Sequence, residues 1–188
     1  MGPVQILGTA PNLSLTPPLT EGMERWGCNS PGIYARRWRE SDILTTYTRW
    51  FNMHSRRHMR STYLDWYRWY GDQTKPIVLQ EVQPDIPASV AFPRDEVMEF
   101  FGTRYFTNTA SWQIAYAIML GAPRLELGGF LLRRDSQHDF ERPCFFYWVE
   151  EAQRRGVDIW LPPDLEITKG GSPHGYTGPL YGYETTLP

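Results

Sequence analysis

The sequence predicts an α/β fold: a Rossmann-like parallel sheet flanked by helices, followed by a Gly/Pro/Tyr-rich C-terminal extension. Three observations predict it. Short β-rich runs alternate with helix-period segments, the pattern that puts helices on both faces of a parallel sheet. The first run, Val4–Leu7, ends at once in Gly8-Thr9-Ala10-Pro11-Asn12, as the opening strand of a nucleotide-binding α/β fold does. The 188 residues are 41% hydrophobic and 21% charged, which suits one ordinary globular core.

Val4–Leu7 is the first strand, and Pro17-Pro18 forbids a long helix directly after its turn. Trp26–Asn29 is a second strand, broken by Pro31-Gly32, and residues 33–38 form a short helix. Ile43–Tyr47 is β-branched and Thr-rich and reads as a third strand, with Trp50–His54 as its continuation or the loop at its end. Ser61–Tyr70 has helical spacing, with Leu64 near Tyr67 and Tyr63 near Trp66. Ile77–Leu79 is a buried-type strand. Pro84, Pro87 and Pro93 mark an irregular connector, and Arg94–Phe101 is a helix closed by Gly102. Asn108-Thr109 caps a buried helix through Ser111–Leu120, stopped by Gly121-Ala122-Pro123. Leu125–Leu127 is a strand running into Gly128-Gly129. Residues 133–140 read as a polar loop. Pro143 suits a first helical turn, and Cys144–Arg155 is a helix with Arg154 and Arg155 in its favourable last turn and Gly156 behind it. Val157–Leu161 is the last strand. Residues 1–163 therefore read as one domain and 164–188 as an irregular tail or lid, too long for a simple connector.

The net charge of −2 does not mark the whole chain as a polyanion binder, but the charge is uneven. Residues 25–60 hold eight Arg against Glu40 and Asp42, and Lys occurs only at positions 75 and 169. Arg presents a planar fork matched to phosphate. Arg36, Arg37, Arg56 and Arg57 are the expected phosphate or nucleic-acid contacts, against the plainer reading of a solvated basic face. The two cysteines, Cys28 and Cys144, make neither a metal spacing nor a disulfide framework. No run reaches the ~18–20 apolar residues of a membrane span, so a cytoplasmic setting is expected. The aromatic content of 15%, with eight Trp, allows either dense core packing or a pocket that stacks on a ring.

Ligands of open α/β sheets bind outside the carboxyl ends of the strands. The residues just beyond the strand ends are Gly8, Thr9, Ala10, Pro11 and Asn12; Asn29 and Ser30; Asn52 and His54; Gln80-Glu81; and Gly128 and Gly129. The helix start at Thr107, Asn108 and Thr109 adds backbone donors suited to an anion. His54 and His138 are the candidate general acids or bases, although a lone His is more often structural. His54 and His58 lie four apart, but no carboxylate or Cys stands at a spacing to complete a metal site, and no metal is assigned. The first turn is not a dinucleotide fingerprint, and neither a GxSxG elbow nor a Walker A loop is present.

Several short segments carry a family resemblance. Ile6–Leu13, Gly27-Cys28-Asn29, Thr107–Ala110 before a buried helix, and Leu120-Gly121 before a strand resemble the bacterial lipooligosaccharide sialyltransferases and domains of the 6-hydroxymethylpterin diphosphokinase type. Phe51–His54, Gln80-Glu81, Tyr105–Thr107 and Arg142–Cys144 resemble a group of uncharacterised phage proteins. The resemblance implies that the first turn, Asn29 and the 107–110 helix start hold the cytidine nucleotide of a sugar donor, and that His138 is the base. The chain departs from it at Thr9 and Ala10. It departs again at Gly129-Phe130-Leu131, which lacks the strand-end carboxylate, and in the tail 176–183. These departures argue against sialic-acid chemistry and leave nucleotide binding standing.

Three functions are expected. One is a nucleotide- or nucleotide-sugar-dependent, glycosyltransferase-like enzyme, phage-encoded and acting in the host cytoplasm on nucleic acid or another acceptor. Another is a non-catalytic nucleotide-binding protein that captures its ligand. The third is an interaction protein that keeps only the fold. Donor, acceptor, metal dependence and oligomeric state are open at this point.

Overall fold

A computed structural model describes residues 1–37, 42–132 and 138–184. The backbone of Arg37 and His138 is included but their side chains are not. Seven strands form one sheet in the order β5-β4-β3-β2-β1-β6-β7. They are β1 (Val4–Leu7), β2 (Glu24–Cys28), β3 (Arg49–Phe51), β4 (Ile77–Leu79), β5 (Ser89–Ala91), β6 (Arg124–Gly128) and β7 (Asp158–Trp160). Every neighbouring pair is parallel, with β1 registered between β2 and β6 through Ile6, Trp26 and Leu127. The chain winds outward from β1 to β5, then crosses back to lay β6 and β7 on the other side of β1. That reversal is the topological switch point, where the loops after β1 and β6 diverge and leave a crevice.

Strand alternation sends side chains to two cores. Ile6, Trp26, Phe51 and Val78 join one apolar cluster, which the helices α5 (Arg94–Phe101), α6 (Thr109–Met119) and α7 (His138–Arg154) cover with Val97, Trp112, Ile114, Phe145 and Trp148. Leu7, Trp50, Ile77 and Leu79 face the other, closed by Tyr34 of α1 (Pro31–Arg37), Ile43 of α2 (Ile43–Thr46), Met59 of α3 (Arg56–Thr62) and Tyr67 and Tyr70 of α4 (Leu64–Gly71). Each such side chain removed from water contributes ~1.5–3 kcal/mol. Aromatic rings dominate the first cluster: Phe106 and Trp112 stack with centroids 3.6 Å apart, and Trp148 packs on the other side of Phe106 at 4.8 Å. Most of the high aromatic content therefore fills the core.

A row of polar side chains crosses the sheet on its second face. Arg25 Nε donates to Gln5 Oε1 (2.9 Å), and Gln5 Nε2 donates to Glu126 Oε2 (3.0 Å). All three are buried, and Arg25 also reaches Asp42 and Thr46 at 2.6 Å each. Satisfied in this way, the row avoids the cost of a buried unpaired charge. It also accounts for part of the Arg-rich segment: Arg25 is a structural cation.

Several elements differ from the sequence expectation. Ile43–Thr46 is the helix α2, not a strand. The carbonyl of Asp42 accepts from the amides of Thr45 and Thr46 and from both their hydroxyls, so local hydrogen bonding overrides β-branched propensity. The third strand is Arg49–Phe51. Ser61–Tyr70 divides into α3 and α4, which meet at Tyr63. The proline-marked connector contains the short strand β5. Residues 138–140, expected in a loop, open α7, whose first turn carries Asp139 and Glu141 where the helix dipole favours negative charge, and Pro143 lies inside the helix. The expected end of α1 at residue 38 and the rest of the polar segment at 133–137 lie outside the described residues. Among the described residues, none beyond Trp160 belongs to a helix or strand. Leu165 and Leu180 nevertheless join the first core cluster.

Gly27 lies in β2 directly over the buried Trp50 ring, and a Cβ at this position would overlap that ring. Gly27→Ala is therefore expected to destabilise by about 1–3 kcal/mol, the cost of overpacking, read as a lower denaturant midpoint with an unchanged slope.

Candidate functional site

A cleft of about 510 Å³ opens at the carboxyl edge of the sheet, at the switch point between β1 and β6. Its size is that of a small-molecule site. The turn after β1 contributes Gly8, Thr9, Ala10 and Pro11, and the end of β2 contributes Cys28, Asn29 and Ser30. His54 enters from beyond β3, Asn108–Ala110 from the start of α6, and Gly129–Leu132 from beyond β6. Tyr63, Trp66, Glu141 and Tyr181 complete the wall.

Close backbone approach shapes the floor. Gly8 N donates to Gly128 O (2.8 Å) and Ala10 N to Gly129 O (2.9 Å), tying the two loops together. A Cβ on Gly8 would collide with the Gly129 carbonyl and the Phe130 ring, so only glycine permits this approach. The α6 start carries a capping box: Asn108 Oδ1 accepts from Ser111 N (2.7 Å), and Ser111 Oγ takes the Asn108 amide (3.4 Å). The helix thus aims its positive end at the cleft from Thr109 and Ala110.

Asn29 has a left-handed backbone, φ 52°, uncommon outside glycine and tolerated best by Asn and Asp. Three side-chain donors hold it there. Its carbonyl accepts from Tyr70 Oη (2.5 Å) and Trp50 Nε1 (3.1 Å), and its Oδ1 accepts from Thr109 Oγ1 (3.0 Å). Tyr70 Oη accepts in turn from Asn52 Nδ2 (2.8 Å). Asn52 Oδ1 accepts from the backbone amide of His54 (2.9 Å) and lies 2.7 Å from His54 Nδ1. Tyr181 Oη stands 3.4 Å from His54 Nε2. A chain of hydrogen bonds therefore runs under the cleft from the α6 start to the C-terminal segment.

This chain settles the state of His54. A backbone N–H can only donate, so the Asn52 atom facing it is the oxygen, and His54 Nδ1 beside that oxygen must carry a proton. Burial, and then the charge of the stacked His58 ring 5.1 Å away, push the imidazole down to about 4, so His54 is neutral near pH 7 with its lone pair on Nε2. Burial, and then Glu141, hold the Cys28 thiol up at about 12, so it stays protonated near pH 7.

Of the sequence candidates, Gly8–Pro11, Asn29, His54, Asn108, Thr109 and Gly129 meet in the cleft. Asn12 lies beneath it, donating to Phe130 O (2.8 Å) and Asp164 Oδ1 (3.0 Å). Thr107 and Gly128 are buried and do not line it. Arg56 is tied to Tyr67 (3.1 Å) and Asp85 (3.0 Å), while Arg36 and Arg57 are exposed. The side chain of His138 is outside the described residues, though its position at the start of α7 is a helix rather than the expected loop. The sequence reading missed the cleft roles of Tyr63, Trp66, Glu141 and Tyr181. Tyr63 and Trp66 stack with centroids 3.8 Å apart and planes within 2°. Their spacing was visible in the sequence but pointed to helix amphipathicity. Among the described residues, no group of three or more His, Cys, Asp or Glu is placed to hold a metal. None of the described helices is long and apolar enough to cross a membrane.

No family model matches the chain, and no curated protein matches it. Among solved structures it is similar to the sialyltransferase CstII from Campylobacter jejuni, determined in complex with a substrate analogue, CMP-3FNeuAc. The TM-score is 0.49 at 13% identity, over 92% of this chain and 91% of that chain.

The neutral, buried His54 makes stability depend on pH. Unfolded, it takes a proton near 6.5; folded, only near 4, so between these values the unfolded state binds more protons. Its contribution is present above pH 6.5 and falls away as pH drops toward 4, by up to about 3 kcal/mol. Unfolding of wild type and His54→Gln across pH 7 to 4 is expected to show wild type losing more stability. Parallel curves would contradict the buried neutral ring.

Proposed function

We propose that the cleft binds a nucleotide or the nucleotide part of a nucleotide sugar, and that the protein is a glycosyltransferase-like transferase. The observation that carries this reading is the convergence at one crevice of three features. The glycine turn after β1, drawn against the loop after β6, brings backbone to the floor of the crevice. The capped start of α6 offers amides and a dipole to an anion. The Tyr63–Trp66 pair gives an aromatic wall for a base or sugar ring. A phosphate at the α6 start with its ring toward Tyr63 and Trp66 uses all three. The short motifs resembling the sialyltransferases at Gly8–Asn12, Asn29 and Thr107–Thr109 support the same reading. The exposed Arg36 and Arg57, on helices that begin beside the cleft, give an anionic acceptor such as a nucleic acid a place to approach.

A thermal-shift series with CMP, UMP and their sugar conjugates tests this. At ~100 times its dissociation constant a ligand adds about 2.7 kcal/mol of stability, visible as a higher Tm. Trp66→Ala is expected to weaken the effective ligand by ~1–3 kcal/mol, the worth of one stacking contact. A shift with cyclic or ADP-ribose-type nucleotides alone would favour a capture protein. No shift with any nucleotide would sink the proposal.

A further inference from the structure

The hydrogen-bond chain beneath the cleft has a directional consequence for His54. Asn52 is fully buried and uses both ends of its amide. Nδ2 donates to Tyr70 Oη, and Oδ1 takes the His54 amide and faces Nδ1. Tyr70 cannot reverse the sense of the chain, because its own proton goes to the Asn29 carbonyl, which only accepts. Every link therefore leaves the Nδ1 proton in place and the Nε2 lone pair on the cleft side, where Tyr181 Oη meets it at 3.4 Å. A neutral imidazole with its tautomer set by a buried amide keeps a bare ring nitrogen toward the cleft, free to accept a proton.

We propose that Asn52 is a positioning residue that fixes His54 in the Nδ1–H form so that Nε2 takes the proton of a hydroxyl-bearing acceptor, and that the Tyr181 hydroxyl holds the place this acceptor hydroxyl takes. The proposal rests on the nucleotide-sugar reading of the cleft. In the step it implies, the acceptor O–H proton passes to Nε2. The oxygen's electron pair bonds to the sugar carbon of the donor. The bond from that carbon to the nucleotide phosphate oxygen breaks, and the phosphate keeps the pair. His54 then returns its proton to solvent. Water as acceptor gives donor hydrolysis by the same steps. His58, Tyr63 and Tyr181 pack on the same ring, and of these His58 is the one whose charge acts on the base.

Imidazole 15N NMR of the full chain reads the tautomer directly and needs no substitution. The expected result at pH 7 is a His54 signal with Nδ1 protonated and Nε2 bare. Asn52→Asp, which keeps an acceptor oxygen, should preserve this tautomer, and so should Tyr181→Phe. Asn52→Leu should lose it. A second measurement follows nucleotide release from CMP- and UDP-sugars, with water as acceptor. His54→Gln is expected to release nucleotide at least ~100-fold more slowly while its thermal shift with the free nucleotide stays. Nε2–H in wild type, or undiminished release in His54→Gln, overturns the proposal and leaves nucleotide binding intact. An Nδ1–H ring in a protein that binds nucleotide but releases none from any sugar donor overturns the base and leaves Asn52 a structural clamp. No nucleotide-dependent thermal shift defeats the cleft reading itself, and the base role falls with it.

Discussion

The carbonyl of Asn29 is the point on which the site depends. It sits where β2 leaves the sheet, and it accepts from Trp50 of β3 and Tyr70 of α4 together. Those two donors belong to the aromatic core that closes one face of the sheet. Core packing therefore holds a left-handed backbone at the cleft, and that conformation places the Asn29 side chain against Thr109 at the start of α6. A residue held in a sparsely populated conformation needs surroundings that over-determine it, and these clamps meet that requirement.

From this pin the two halves of the cleft are linked in different ways. Toward β6 the links are main-chain to main-chain, from Gly8 to Gly128 and from Ala10 to Gly129, where the absence of side chains is what matters. Toward the C-terminal segment the links are side chains, running through Tyr70, Asn52 and His54 to Tyr181. The segment that carries Tyr181 is tied down nearby: Tyr181 N donates to Phe106 O (3.1 Å), Gln80 Nε2 donates to the Gly182 carbonyl, and Arg104 pairs with Glu184. A stretch with no regular secondary structure thus becomes part of the wall through specific contacts rather than through hydrophobic burial alone.

Much of the cleft lining was legible in the sequence. Gly8–Asn12 after the first strand, Asn29 after the second and Asn108-Thr109 before a buried helix are local signals, each arising from turn or capping chemistry that acts over a few residues. The errors also have a local origin. Ile43–Thr46 has the composition of a strand, yet the Asp42 carbonyl collects its donors into a helical turn. β5 hides in a proline-rich stretch because an edge strand tolerates poor strand residues once a neighbour supplies its ladder.

The sequence by itself determined the α/β class, the main strand and helix positions, and the residues at the strand ends, because periodicity and turn residues are encoded within short windows. Tertiary structure alone decided which of those ends meet. Tyr63 and Trp66 become a cleft wall only when α3 and α4 fold against the carboxyl edge. Tyr181 reaches His54 across 127 positions of chain. Arg25 proves a buried structural cation because Gln5 on the neighbouring strand and Asp42 before α2 lie beside it. The proton position on His54 depends on Asn52, Tyr70 and Asn29 together, residues that only the packing of β2, β3 and α4 brings within hydrogen-bonding distance.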